Sequence, residues 1–400
     1  MADSARLNPS QRLTVTAAYL GWTLDAFDFF LMVFVLKAIS ESFGTSVKSV
    51  SEALFLTLAA RPVGALLFGW LADRYGRRPV LMAVVLLFSL FSALSGLARS
   101  LGELLVIRTL FGVAMGGEWG IGASLAMESI PPAARGRVSG LLQAGYASGY
   151  LLASFAYFLL FDAIGWRGMF FVGLAPACLA LLIRLKVEES PRFEAARSAP
   201  RPGLVASLSA NWKLVAYLVV LMTAFNFLSH GTQDMYPTFL QKQHHFDTHL
   251  TGSLTAVLNL GSLVAAMLAG FASERWGRRR TVIASALMAL PVIPLWAYGQ
   301  SLPALALGAF LIGGATQGAW AVVPAYLNEL SPPALRAMFP GLVYQLGNLI
   351  ASRNAPFQAG LAEARGGDYG FALAVVVATA AVVLSTLAWF GPERRGEELG

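Results

Sequence analysis

Residues 69–83 read GWLADRYGRRPVLMA, and residues 270–284, displaced by 201 positions, read GFASERWGRRRTVIA. The same displacement carries ESIPPAARGRVSG, starting at Glu128, onto ELSPPALRAMFPG, starting at Glu329. Pro131 and Pro132 then fall on Pro332 and Pro333, and Arg135 on Arg336. Two separate segments sharing one displacement, half of a 400-residue chain, indicate an internal duplication. Both quoted stretches are basic turns between long apolar runs, so the nature of those runs decides the fold. Hydrophobic residues make up 56% of the chain, charged residues 13%, and the mean hydropathy is +0.63. A soluble domain would carry about a quarter of its residues charged. The apolar residues fall in blocks of roughly 20, the length that crosses a hydrocarbon core as helix. A soluble enzyme is excluded, and so is a membrane β-barrel, whose strands would alternate in polarity over about 10 residues.

Twelve spans follow, at 13–37, 50–72, 79–98, 101–126, 138–161, 166–186, 212–241, 250–273, 280–299, 302–328, 337–358 and 370–391. The expected fold is an all-α integral membrane protein with twelve transmembrane helices in two six-helix, pseudo-symmetric bundles, residues 1–186 and 212–400. A polar cytoplasmic linker, 187–211, joins them. Six spans per half is an even number, so the halves share orientation and are related by an axis along the membrane normal. Of the 29 Lys and Arg, 20 lie before span 1, in the even-to-odd loops or in the C-terminal tail, six lie on the opposite side, and Arg61, Arg108 and Arg353 lie inside spans. Basic residues mark the cytoplasmic face, so both termini are expected there, in a plasma (inner) membrane. The same imbalance accounts for the net charge of +7 without nucleic acid as a partner. Span 1 is too long for a signal-peptide core and reads as an uncleaved helix. The lone cysteine, Cys178, excludes an internal disulfide framework and reads as a helix-packing residue. The absence of a Walker A motif leaves no ATP-driven engine. His244, His245 and His249 with Asp247 resemble a metal cluster, yet lie in the loop after span 7 and read as solvated; no metal and no cofactor is expected.

The few ionisable residues inside the spans are the functional candidates, because such residues are expensive in a bilayer and must face the bundle interior or water. Asn226, His230 and Asp234 recur every fourth residue in span 7 and drift by only about 40° per step, which makes one polar stripe. Asp234, one turn after His230, can fix its tautomer, and a His that titrates near neutrality suits a device that takes up and releases protons. The alternatives are a buried hydrogen-bonded network that orients the helix, and an Asp234 that gates at the outer mouth. Pro237 loosens the helix just past Asp234. Asp25 and Asp28 lie near the middle of span 1, and the displacement of 201 sets Asp25 opposite Asn226 and Phe29 opposite His230. Equivalent helix positions in the two halves thus turn toward a shared centre. Trp119 and Trp320 are also equivalent, and Tyr146, Tyr150, Tyr326 and Tyr344 could line a cavity or simply pack helices.

Gly69, Asp73, Arg74, Gly76, Arg77 and Arg78, with their weaker echo Gly270, Glu274, Arg275, Gly277, Arg278 and Arg279, resemble the signature of the major facilitator superfamily. Arg108 followed by Gly112, Gly116 and Gly117 looks like its second signature, and the resemblance covers essentially the whole chain. Physically the first motif is a small-residue turn that lets two helix ends approach, with Asp73 meeting the positive N-terminal end of a neighbouring helix and the arginines its carbonyl end. Asp73, Arg74, Arg77, Glu274, Arg275 and Arg278 are therefore expected to gate and latch the cytoplasmic face rather than touch substrate. GGEWGIGASLAMESIPPAARGR (116–137), DAFDFF (25–30) and EESPRF (188–193) resemble the proton symporters of organic acids and sialate. Asn226, Ser229, His230, Thr232, Gln233, Asp234 and Thr238 match N-x-x-[ST]-H-x-[ST]-Q-D-x-x-x-T at all seven specified positions. That motif is similar to the one of the fungal-type lactate/pyruvate proton symporters in the sialate:proton symporter family.

The resemblance implies a carrier, not an enzyme, that imports a short monocarboxylate such as L-lactate or pyruvate together with a proton, probe residues Asn226, His230, Gln233 and Asp234 being carried over from the motif. An acid on helix 1 facing an Arg on helix 4 resembles the proton-coupling pair of related symporters, which points to Arg108 with either Asp25 or Asp28, and Glu118 is a further proton site or a structural pair. A carboxylate is held well by a guanidinium. Arg353, with Asn348, Gln345, Tyr344 and Asn354 nearby, and Arg61, beside Pro62, are the expected substrate contacts or, equally, structural pairs. The expected partners are the bilayer, the monocarboxylate and the proton as coupling ion, with the chain monomeric. A sialate or aromatic-acid porter, and a transporter-like metabolite receptor, are the rival readings.

Overall fold

The structure is a computed structural model that describes residues 7–131, 134–174, 178, 209–331 and 339–393; the side chains at 73, 74, 77, 78, 124 and 128 lie outside the description. All regular structure among the described residues is helical. The first half contains α1 (Pro9–Ser42), α2 (Val47–Tyr75), α3 (Arg77–Leu97), α4 (Leu101–Gly116), α5 (Glu118–Ser129) and α6 (Arg135–Val172). The second contains α7 (Trp212–Gln233), α8 (Tyr236–Lys242), α9 (Thr248–Trp276), α10 (Arg278–Ala297), α11 (Leu302–Trp320), α12 (Val323–Leu330), α13 (Phe339–Ala351), α14 (Asn354–Ala364) and α15 (Tyr369–Phe390). Nine helical stretches among the described residues are long and apolar enough to cross a membrane. Most of the 187–211 linker lies outside the described residues.

The duplication governs where helices start and stop. α2 and α9 have the same length and are displaced by 201 residues, and their N-caps Ser46 and Asp247 are equivalent, each side chain accepting the backbone N–H three residues on. Ser100 and Ser301 cap α4 and α11 in the same way. Such caps satisfy donors that have no partner inside the helix. At the other ends, Gly76 and Gly277 adopt φ of 102° and 95°, a conformation that disfavours any side chain, and the following helix starts at once. This is the physical content of the glycine in the repeated GRR turn.

Packing repeats as well. α2 lies on α4 as α9 lies on α11, and α1 on α6 as α7 on α13. A Cβ at Gly112 would collide with the backbone of Thr57, and one at the equivalent Gly313 with the backbone of Leu258. Small residues let helices in a bilayer approach closely, since lipid offers no hydrophobic drive for their association. The two halves meet along α6 against α9 and along α2 against α13 and α14. From Gly21 to Leu36 every residue of α1 is buried, which places this helix at the centre rather than against lipid. Leu159, Leu268, Phe271, Trp389 and Phe390, by contrast, are exposed apolar residues of the kind a hydrocarbon surface covers.

Several expected spans are broken. Span 4 divides at Gly117, span 7 at Asp234–Met235, span 10 at Ala321–Val322 and span 11 at Ser352–Arg353. Pro237 and Pro324 sit in the first turns of α8 and α12, where a missing N–H costs least. Expected spans 5 and 6 join through Gly165 (φ 61°, ψ −176°), and most of span 6 lies outside the described residues. Cys178 corrects the expectation of a packed thiol: it is exposed.

Candidate functional site

The polar stripe of α7 is buried where the two halves meet. Asn226, His230, Gln233 and Asp234 are all at most 3% exposed. His230 Nδ1 lies 3.1 Å from Asp234 Oδ1, and His230 Nε2 lies 3.3 Å from Asn348 Oδ1 on α13. Asn348 in turn donates through Nδ2 to Gln345 Oε1 at 3.3 Å. With the Asn348 amide oriented by that bond, both ring nitrogens of His230 face acceptor oxygens. An imidazolium can donate to both at once, whereas a neutral imidazole can donate to one. Asp234 Oδ2 has no hydrogen-bond partner. Asn226 donates to the Met222 carbonyl at 2.8 Å. Gln233 turns partly away: its Oε1 accepts from Ser229 at 3.5 Å, and its carbonyl accepts from Tyr150 Oη at 3.2 Å.

The first half contributes acid and guanidinium in two layers. Asp25 Oδ2 lies 3.9 Å from Arg61 Nη2, with both side chains buried. Asp28 accepts a bond from Ser92 Oγ at 3.3 Å and interacts electrostatically with Arg108. The structure therefore pairs Arg61 with Asp25 and sets Arg108 toward Asp28. Arg108 is fully buried, its guanidinium stacked 3.8 Å from the Phe111 ring, and none of its nitrogens makes a hydrogen bond. Unmade bonds of this kind are costly in a dry interior, and they cluster at functional sites. Glu118 is buried at the α4–α5 break, close enough to act electrostatically on both Asp25 and Asp28. Phe29 joins the layers: its ring centre is 5.6 Å from the Arg61 guanidinium carbon and 5.8 Å, edge-on, from His230. The pairing of Phe29 with His230 that the displacement of 201 implied is thus a contact across the two halves.

Between the layers lies a small cavity of about 10 Å3, the room of roughly one water molecule. Asn226, Ser229 and His230 form its α7 wall. Aromatic rings form much of the rest, with Trp22 stacked on Tyr146 at 5.3 Å and Trp320 edge-on to Tyr344 at 5.7 Å. Tyr344 also interacts with Arg61 and Asn348 through its hydroxyl, which links the acid layer to the histidine. The halves are in contact on both sides of this centre. On the face bearing Ser46, Gln241 donates to Tyr157 Oη at 3.1 Å, and Thr248 bonds Asp162 at 2.9 Å. On the face bearing Gly76, Glu274 accepts the backbone N–H of Arg137, in the first turn of α6, at 3.1 Å, and its carboxylate lies 3.6 Å from Arg137 Nε.

Glu274, the counterpart of Asp73 in the repeat, accepts from the first turn of α6, a helix of the other half, where a carboxylate is favoured by the helix dipole. Arg278 bonds Glu329 bidentately, at 2.8 and 3.1 Å, and Glu393 accepts the N–H groups of Arg278 and Arg279 at 3.0 Å each. Arg275 is exposed. The side chains of Asp73, Arg74 and Arg77 lie outside the described residues. Among the loop histidines, His249 pairs with Asp162 at 3.5 Å, Asp247 caps α9, and burial together with neighbouring His245 pulls the proton affinity of His244 down.

For Arg353 the structure shows a structural pair, the second of the two expected readings. Its side chain is 62% exposed, bonds Glu52 at 3.2 Å and stacks 3.8 Å from Phe55 on α2. The reason is geometric: five positions past Asn348 is about 140° round a helix, and the break at 352–353 turns the residue further outward. Tyr326 likewise leaves the centre, donating to the Pro392 carbonyl at 2.7 Å. Sequence reasoning missed Trp22, Gln143 and Gln317, which line the cavity. For Gln143 a signal existed, since the displacement of 201 sets it opposite Tyr344.

Comparison with known proteins follows the same lines. The sequence profile described as Major Facilitator Superfamily matches residues 18–248 and again 219–399. The chain is 31% identical over 356 residues to a probable 4-methylmuconolactone transporter of Cupriavidus pinatubonensis, covering 86% of this chain and 82% of that protein. It is 28% identical to the sialic acid transporter NanX of Escherichia coli, covering 94% and 92%. Among solved structures, the proton:xylose symporter XylE superposes with a TM-score of 0.76 at 17% identity over 97% of each chain, a likeness of fold.

Proposed function

The chain belongs to the Major Facilitator Superfamily, and from that membership we propose that it is a proton-coupled symporter importing short monocarboxylates, L-lactate and pyruvate foremost, by alternating access. The observation that carries this reading is His230. It is buried at the junction of the halves, on the cavity wall, with an acceptor oxygen against each ring nitrogen. A proton taken up there is held by Asp234 and Asn348 together, and its charge complements an anion bound beside it. The seven-position match of residues 226–238 to the lactate/pyruvate motif supports the same substrates.

Asp25 with Arg61, and Asp28 with Arg108, form the second element. Protonation of one carboxylate frees its guanidinium, either to meet the anion or to loosen α1 from α2 and α4. Glu118 tunes both pairs through its charge. Asn226, Tyr344 and Asn348 face the substrate, Gln233 shapes the helix end behind them, and Asp73, Arg74, Arg77, Glu274, Arg275 and Arg278 serve the latch. Both termini are cytoplasmic in this reading, so Glu274 and Arg137 close the inner face. One anion with one proton is electroneutral, and the pH gradient rather than the voltage drives uptake. In proteoliposomes, external acidification should drive lactate accumulation, and a protonophore should abolish it. Accumulation that ignores both would refute the symport.

A second reading rests on the ring-lined walls. Trp22, Tyr146, Trp320 and Tyr344 suit a flat, unsaturated acid, and the relatives named for muconolactone and sialic acid are carriers of larger molecules. Competition of unlabelled lactate against such acids separates the two readings. Flux itself separates a carrier from a transporter-like receptor.

A further inference from the structure

One buried polar group on the cavity wall belongs to none of the residues discussed above as proton or substrate contacts. Gln143, on α6, is 1% exposed and lines the cavity opposite the α7 stripe. Its side-chain Oε1 accepts the indole N–H of Trp22 at 3.1 Å, and its backbone carbonyl accepts from Gln317 Nε2 at 2.8 Å. Its Nε2 has no hydrogen-bond partner. The orientation of a glutamine amide is set by its network, and an indole nitrogen can only donate, so Trp22 must face the oxygen. That contact fixes the amide and leaves a buried, unpaired N–H2 donor. Leaving such a donor unmade is expensive, so it calls for an acceptor from the adjoining cavity, a water oxygen or a ligand oxygen that takes its place.

We propose that Gln143 is a substrate-anchoring residue whose Nε2 donates to a carboxylate oxygen of the transported anion, and that Trp22 is a positioning residue that holds the amide in that orientation. The assignment rests on the reading of the protein as a carboxylate carrier and adds a contact from the first half. The anion is then gripped between α6 on one side and α7 with α13 on the other. Binding one molecule to both halves is what couples its occupancy to their relative movement.

The test uses the full-length protein in proteoliposomes. The wild type is first assayed for uptake of labelled acetate, lactate, pyruvate and benzoate, and the acid with the highest rate becomes the probe. Gln143→Glu keeps the acceptor for Trp22 but replaces the donor, Gln143→Met removes both, and Trp22→Phe removes only the indole donor. Size-exclusion profiles and melting temperatures identify any variant that fails to fold. For folded protein at neutral pH, KM of the probe should rise by about tenfold to a hundredfold in both Gln143 variants, with the maximal rate changed much less. Trp22→Phe should raise KM a few-fold, and the Trp22→Phe, Gln143→Met double variant should be no worse than Gln143→Met alone, because Trp22 acts through Gln143. A wild-type KM in either folded Gln143 variant, or losses that add in the double variant, would overturn the assignment. Failure of lactate and pyruvate as substrates would instead count against the proposed function, while the KM comparison with the remaining probe still decides the role of Gln143.

Discussion

At the scale of single residues, the chain separates buried ionisable groups that sit at the centre from one that does not. In the proposed symport, His230 and Asp234 are the pair assigned to the coupling. His230→Ala and Asp234→Asn should each lower uptake by about tenfold or more, the range expected from removing a charged hydrogen bond, while the protein keeps the elution volume of the folded wild type. Wild-type rates in both would remove them from the mechanism. Arg353 behaves oppositely. Its pair with Glu52 is solvent-facing, and such pairs contribute about 0–1 kcal/mol. Arg353→Ala should therefore leave KM unchanged and lower the melting temperature only slightly; a large rise in KM would restore it to the site. The contrast shows what a sequence can convey about a site. Asn226, His230 and Asp234 were legible because helical periodicity aligns them and because carboxylates and imidazoles are rare in apolar spans. For Arg353 nearness in sequence to Asn348 did not decide between a substrate contact and a structural pair, because the break at Ser352–Arg353 resets its direction. Gln143 and Trp22 were missed because an uncharged amide and an indole look, in a membrane helix, like any other packing residue.

At the scale of elements, the repeat fixes both the close helix crossings and the hinges. Gly112 and Gly313 let α4 and α11 touch the backbones of α2 and α9. Gly112→Ala has no space for its Cβ and should cost about 1–3 kcal/mol through overpacking; an unchanged melting temperature would show that the helices can part without loss. The equivalence of Ser46 with Asp247, Ser100 with Ser301 and Gly76 with Gly277 was latent in the two quoted motifs. Helix starts and stops were consequently the most predictable part of the fold. The breaks within spans 4, 7, 10 and 11 were less so: Pro237 marked the one in span 7, but a glycine or proline inside an apolar run does not by itself say whether the helix stops there. Glu274 illustrates such a long-range contact, since it caps α6 from α9. Glu274→Ala should weaken this face of the interface. In a Cys178→Ala background, a cysteine placed at Ser139, where α6 now bonds Ala321 and Ala325, should react with a water-soluble maleimide several-fold faster than in the parent. Equal labelling rates would mean that Glu274 is no latch.

At the scale of the whole molecule, composition and duplication alone implied an all-helical membrane protein of two like halves, and the family match and the solved fold agree with that. The shared orientation of the halves and their common centre were legible in the repeat; the individual contacts that join them on either face of that centre, Gln241 with Tyr157 and Glu274 with Arg137, were not. In the proposed symport, the buried acids, guanidinium groups and histidine at the junction are the groups that balance the charge of the anion and its proton in a low-dielectric centre. The central claim is that a proton travels with the anion. Its most direct test is accumulation of labelled L-lactate in proteoliposomes whose exterior is held one pH unit below the interior. An electroneutral one-to-one symporter should concentrate lactate about tenfold at equilibrium, lose all concentration at equal pH, and respond little to an imposed voltage. Accumulation that persists at equal pH, or that follows the voltage, would contradict the account.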